Sequence, residues 1–218
     1  MSASSANPEA LIEYAGSDIY ISADVEADGP IPGPFSMLSF GLCVAGRFDG
    51  TDFAAADPEE HTFYAELKPI SDHADQAALA VSGLDRDRLC AEGETPSSAM
   101  DRASAWVVAV AGDHRPVLVG YPLLYDWLFL YWYFQRFAAS GSPFGHSSGL
   151  DMKSMFMVKA DVVLAKAAKR AMPAELLSTR PHTHHALADA IEQAEMFVKI
   201  FNWKRNAGCE NADAFTKE

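Results

Sequence analysis

Residues 18–26, Asp-Ile-Tyr-Ile-Ser-Ala-Asp-Val-Glu, alternate along their length and end on two carboxylates. A period of two marks a β-strand. Successive strand side chains point to opposite faces, so Asp24 and Glu26 share one. Two acids side by side at a strand end raise each other's pKa unless a cation sits between them. Carboxylate oxygen suits a hard divalent ion such as Mg²⁺ or Mn²⁺. Taken alone, the pair is equally compatible with two solvated acids leaving a strand, as Asp18 and Asp28 nearby are expected to be. The rest of the chain has to decide between these readings.

The strand is the first of three in close succession. Asp28-Gly-Pro-Ile-Pro-Gly-Pro is a breaker cluster that places a loop beside the carboxylate pair. Phe35 to Ala45 and His61 to Pro69 read as the second and third strands, with a polar acidic turn over 47–60, which together suggest an antiparallel meander. Then the period changes. A short helix is expected over 74–82 and a longer one over 97–111, capped by Ser97 or Ser98. The run 117–121 is short and wholly apolar, as in a strand buried on both faces of a parallel arrangement. Helices follow at 124–139, at 154–170 in two pieces, and from near His185 to about Asn206. On the last, Ala186, Ala190, Ala194, Phe197 and Phe201 form one apolar arc. The alanines allow close approach to a sheet. Glu192, Glu195 and Lys199 fall on the side expected to face water, with Asp189 on the flank. The economical reading is an α/β fold in one domain over 17–206, with a mobile tail over 1–16 and a frayed one over 207–218.

The 218 residues are 49% hydrophobic and 22% charged, enough to bury a real core. A net charge of −13 argues against a broad basic face for gripping long nucleic acid. A site that neutralises its own carboxylates with metal and touches few phosphates remains compatible with it. Three scattered cysteines without a CxxC suggest reduced thiols and a cytoplasmic setting. The first residues lack a basic and an apolar region, so no signal peptide is expected. The greasy stretch 118–134 is too short and interrupted for a membrane span.

Two further signals could meet Asp24 and Glu26. Asp126 sits among apolar residues, where a charge is costly unless paired or metal-bound; a helix N-terminal acid offsetting the macrodipole is a compatible role. The run Pro181-His-Thr-His-His-Ala-Leu-Ala-Asp-Ala places three histidines before a helix and Asp189 one turn inside it. One reading is a His-rich transition-metal site, although the cysteines or HExxH spacing specific to zinc are missing. Another is a general base on a loop followed by a metal-binding acid, with His182 and His185 as solvated bystanders.

In these residues the chain resembles the DEDDh exonucleases, the superfamily of ribonuclease T, oligoribonuclease and the polymerase proofreading subunits. The D-x-E motif is matched by Asp24-Val25-Glu26, the second-motif acid by Asp126, and H-x(4)-D by His184 and Asp189. The family's Asn-x-x-Phe before the second acid is replaced by Pro122-Leu-Leu-Tyr125. The resemblance implies a ribonuclease H-like mixed sheet, an antiparallel meander plus parallel strands, flanked by helices. It implies two divalent cations, Mg²⁺ or Mn²⁺, on Asp24, Glu26, Asp126 and Asp189, with His184 as general base, an imidazole being suited to proton transfer near neutrality. The implied reaction is 3′→5′ hydrolysis of RNA or single-stranded DNA to nucleoside 5′-monophosphates. The partner would be a 3′ end of short or single-stranded nucleic acid, with Phe35, Met37 and Tyr125 packing against bases. An alternative is an accessory or proofreading subunit acting through a partner. For that, or for a homodimer contact, the aromatic helix residues Trp127, Tyr131, Trp132, Phe134 and Phe137 would supply the surface.

Overall fold

The computed structural model describes residues 16–204. The expected tails lie outside them, apart from Gly16. The elements are β1 (Asp18–Ala27), β2 (Met37–Phe48), β3 (Phe53–Ala55), β4 (Thr62–Glu66), α1 (Gln76–Ser82), α2 (Arg86–Glu92), α3 (Pro96–Ala111), β5 (Arg115–Gly120), α4 (Leu123–Phe137), β6 (Gly149–Asp151), α5 (Met152–Ala160) and α6 (Ala186–Asn202). The mixed sheet runs β3-β2-β1-β5-β6, with β4 also on β2. The meander strands pair antiparallel, while β5 pairs parallel to β1 and β6 parallel to β5. This is the α/β architecture the sequence predicts.

The alternation of β1 divides two cores. Ile21, Ala23 and Val25 enter the layer built with Met100, Val107, Phe129 and Tyr133 of α3 and α4. Tyr20 enters the opposite layer, with Phe156 of α5 and Ala190, Ala194 and Phe197 of α6. The alanine arc lets α6 lie directly on the sheet, and Gly41 of β2 completes the approach. A Cβ there would come within 2.4 Å of the Leu187 backbone. Phe197 is fully buried, contributing on the order of 2 kcal/mol.

Several local expectations are corrected. β3 occupies part of the expected acidic turn; α2 and β6 were not expected, both being too short to show a period. α3 is capped by Thr95, whose hydroxyl accepts from the Ser98 N–H, rather than by Ser97 or Ser98. α5 stops at Ala160 because Asp161 adopts φ 55° and its N–H closes onto the Met157 and Val158 carbonyls. Beyond it, three 3-10 turns, at 164–166, 169–171 and 174–176, cross the outer side of α6. That crossing overturns the expected water-facing side: Glu192 is buried against Lys169, Glu195 accepts from Ser178 and Arg180, and Lys199 donates to the Leu177 carbonyl. Asp28 is not solvated either; fully buried, it accepts from the Ser36 N–H and pairs with Arg86 at 3.0 Å. Of the aromatic residues on α4, Phe134 is fully buried and Trp127, Trp132 and Phe137 pack half-buried on the core. No helix among the described residues is long and apolar enough to cross a membrane. Cys43 and Cys90 are unpaired, and Cys209 lies outside the described residues.

The Gly41 contact gives a test of the packing. Gly41→Ala forces α6 outward, and such overpacking costs about 1–3 kcal/mol. Thermal unfolding should move down by roughly 2–4 °C per kcal/mol. An unchanged melting temperature would refute the close approach.

Candidate functional site

Strand register decides where the acids emerge. The pairing of β1 with β5 ends at Ser22 opposite Val119, and β5 itself ends at Gly120. The following stretch of β1, which carries Asp24 and Glu26, therefore has no strand beside it on that edge. Its Val25 N–H is satisfied instead by Asp126, in the first turn of α4, which accepts it at 3.1 Å through Oδ1. The start of α4 is held from β6: Asp151 accepts the Leu123 N–H at 2.7 Å through Oδ2 while its Oδ1 caps α5. Pro122, the N-cap residue of α4, makes no side-chain cap bond of its own.

On the other flank, α6 brings Asp189 to the face that carries Asp24 and Glu26. One oxygen from each of these three carboxylates lies within 4.8 Å of the others. Asp189 is fully buried and fastens the preceding loop: Oδ1 accepts from the Thr183 N–H at 2.8 Å and Oδ2 from the His184 N–H at 2.7 Å. His184 takes φ 55° there. With His182, Tyr121, Pro122 and Tyr125 it lines a cleft of about 230 Å³ that also exposes Asp24, Glu26 and Asp126. The five motif residues are thus brought to one place.

The electrostatics are unfavourable without a cation. Burial, then the neighbouring acids Asp126, Glu26 and Asp189, push the Asp24 carboxyl well above its usual range. Burial and then Asp189 raise Glu26 to about 7. Burial raises Asp126 against the Val25 N–H, which acts the other way. An all-oxygen set that is buried, mutually repelling and open to a cleft is one that a hard divalent cation fits.

The other expected residues divide. Tyr125 is 38% exposed at the cleft, with its hydroxyl donating to the Gly29 carbonyl at 2.8 Å. Phe35 is half-buried at the end of the loop after β1. Met37 is corrected: its side chain is wholly inside the core, so it has no surface for a base. Leu124 and Leu128 are exposed on α4. His185 and His182 are not bystanders. His185 caps α6 and stacks on Tyr64, and His182 Nδ1 lies 3.2 Å from both Asp189 and Glu192.

Gln193 escaped the sequence reading. Buried one turn after Asp189, it accepts the Tyr121 N–H at 2.5 Å through Oε1 and donates through Nε2 to Asp24 Oδ1 at 2.8 Å. The backbone donor fixes the amide orientation, since Oε1 must face Tyr121. Its only sequence signal is the i, i+4 spacing from Asp189, which places both on one helix face.

No family model matches the chain. It is 37% identical over 189 residues to the 3′-5′ DNA exonuclease Cap18 of Escherichia coli, covering 84% of this chain and 91% of that protein. Among solved structures, the fold is similar to a 3′-exonuclease described in 3′-end recognition of a histone mRNA stem-loop, with TM-score 0.62, 14% identity, and 86% and 64% of the two chains covered. It is also similar to Escherichia coli exonuclease I in complex with a dA16 oligonucleotide, with TM-score 0.55, 17% identity, and 84% and 40% covered. The chain spans 39–43% of the length of the exonuclease I chains it is similar to.

Two outcomes follow from this geometry. Gln193→Leu removes the donor to Asp24 and strands the Tyr121 N–H; Mn²⁺ affinity, followed by calorimetry, should fall about 10–100-fold. Unchanged affinity would remove Gln193 from the site. The second concerns pH. Burial and Asp189 push Glu26 from its ordinary 4.5 up to about 7, so the folded state binds more protons between those values and stability falls as pH rises through them. Asp24 and Asp126 shift in the same direction. Metal-free protein should therefore melt lower at pH 7.5 than at pH 5, with Mg²⁺ or Mn²⁺ removing most of the difference. Melting that rises with pH in chelator would contradict the assignment.

Proposed function

Because the chain belongs to the DEDD-type 3′-5′ exonucleases, we propose that it is a metal-dependent 3′→5′ exonuclease releasing nucleoside 5′-monophosphates from single-stranded ends. The observation that carries the proposal is the convergence of Asp24, Glu26 and Asp189, one oxygen from each within 4.8 Å of the others, with Asp126 and His184 on the same cleft. DNA is the favoured polymer, since the relative at 37% identity is named a DNA exonuclease. A short RNA end is the second candidate. Reduced Cys43 and Cys90 suit a cytoplasmic setting.

The residues divide the work. Asp24, Glu26, Asp126 and Asp189 would hold divalent cations, and Mg²⁺ or Mn²⁺ matches an all-carboxylate set. Bound there, the cations supply Lewis-acid activation of water and stabilise charge at the leaving 3′ oxygen. His184 accepts the proton of the attacking water. Its backbone N–H is tied to Asp189, so the base and one metal ligand keep a fixed relation. Asp126 is held by the Val25 N–H and stands on the side of the cleft where α4 begins. Tyr125, Leu124 and Leu128 offer the apolar surface on which terminal bases stack, and such stacking is tolerant of sequence. Phe35 is a more recessed contact on the loop after β1.

The test is a panel of end-labelled oligonucleotides, single- and double-stranded, DNA and RNA, with Mg²⁺ or Mn²⁺. Single-stranded DNA should shorten from the 3′ end to mononucleotides. Asp24→Asn should abolish the reaction, and His184→Ala should lower kcat by about 10²–10⁴-fold, the range for a general base. An Asp24→Asn protein as active as the parent would overturn the proposal.

A further inference from the structure

The histidine run contains more than the proposed reaction uses. His182 takes no part in it, yet its Nδ1 lies 3.2 Å from Asp189 Oδ2 and 3.2 Å from Glu192 Oε2. Its ring sits 4.6 Å from that of His184, nearly edge-on. His182, His184 and Asp189 each present a ligand atom within 4.8 Å of the others. Tetrahedral zinc has bonds of about 2.0–2.1 Å, which sets ligand atoms roughly 3.3 Å apart. The His182–Asp189 edge already has that length. Both imidazoles are on the exposed loop 181–185, so His184 has room to close the remaining distance by side-chain rotation.

The donor types separate this set from the acidic centre. Asp24, Glu26 and Asp189 offer oxygen only and suit Mg²⁺ or Mn²⁺. Two imidazoles and one carboxylate suit borderline ions, for which affinity rises toward Cu²⁺ and Zn²⁺. The two sets share Asp189, so they compete for it.

We propose that His182, His184 and Asp189 form an inhibitory site for a borderline divalent ion, represented by Zn²⁺. The ion takes Asp189 from the acidic centre and His184 from proton transfer, an inhibition that rests on the exonuclease reading; the binding itself does not. Glu192, beside His182 and paired with Lys169 at 2.9 Å, flanks the site.

The full-length protein, freed of metal, is titrated with zinc chloride by calorimetry and with Co²⁺ by absorption, where tetrahedral coordination gives an intense visible band. In His182→Ala and His182→Asn, Zn²⁺ affinity should drop by about tenfold or more beyond any loss of Mn²⁺ affinity in the same variant. The Co²⁺ band should fade in both. His182→Asn keeps a hydrogen-bonding amide without an imidazole, so it separates ligation from simple bonding to Asp189 and Glu192. In Mn²⁺-supported hydrolysis of single-stranded DNA, the half-inhibitory Zn²⁺ concentration should rise by the same factor, each variant being referred to its own zinc-free rate. Zn²⁺ affinity unchanged in His182→Ala but lost in Glu26→Gln would overturn the site by placing zinc on the carboxylates. Hydrolysis supported by Zn²⁺ would overturn the inhibition. Absence of any Mn²⁺-supported hydrolysis would sink the exonuclease reading and its inhibition, while the calorimetry would still decide whether the histidines bind zinc.

Discussion

The surroundings of the site follow from one electrostatic constraint: carboxylates held out of water within a few ångström of one another. Each fixed oxygen is held by a dipole. Val25 donates to Asp126, Gln193 to Asp24, and the Thr183 and His184 amides to Asp189. These bonds orient the acids but bring no positive charge. Lys169 lowers the Asp24 pKa, though by less than any of the neighbouring acids raises it. The result is a rigid set of oxygens with a charge deficit that a divalent cation relieves.

That constraint explains why the three motifs come from three different layers. β1 supplies acids past the point where β5 ends, α4 fills the vacated edge from one face, and α6 closes from the other. Gln193 binds all three together, through Asp24 of β1, Tyr121 ahead of α4, and its own place on α6. A shift of α6 therefore moves an acid, its loop histidine and the orientation of a second acid at once. The close approach at Gly41 therefore bears on the position of the acids as well as on packing.

What the sequence revealed was what a local pattern can carry. Alternation placed Asp24 and Glu26 on one face, the alanine arc predicted the seating of α6, and apolar surroundings marked Asp126 as a charge needing a partner. The misses were long-range or too short for a period. β6 has three residues, and its value lies in Asp151 reaching Leu123, 28 residues back along the chain. Glu192 looked solvent-facing because a helical wheel knows nothing of a later crossing segment, here the 3-10 turns after α5 with Lys169. Met37 and Phe35 were equally near the loop in sequence, but the strand pleat sent Met37 into the core. Gln193 is uncharged and reads as an ordinary helix residue until both of its partners, 72 and 169 positions away, are in place.

The charge distribution bears on which substrate such a site accepts. The chain carries a net charge of −13, and many of its cations are engaged with acids: Arg86 with Asp28, Arg88 with Glu66, Arg102 with Glu94, Arg115 with Asp18, Arg180 with Glu59 and Glu195, Lys169 with Glu192. Using one of these to neutralise a phosphate means breaking a pair already made. Affinity built on many phosphate contacts, and the steep salt dependence that comes with it, are therefore poorly served. On the proposed reading, recognition would fall to the terminal nucleotide, with its phosphate at the acids and its base against Tyr125. Such a site selects an end that can leave its neighbours and enter a cleft of about 230 Å³, and a base held in a duplex must first pay the energy of unpairing. Within the proposed reading, charge pairing and cleft size both point toward single-stranded ends.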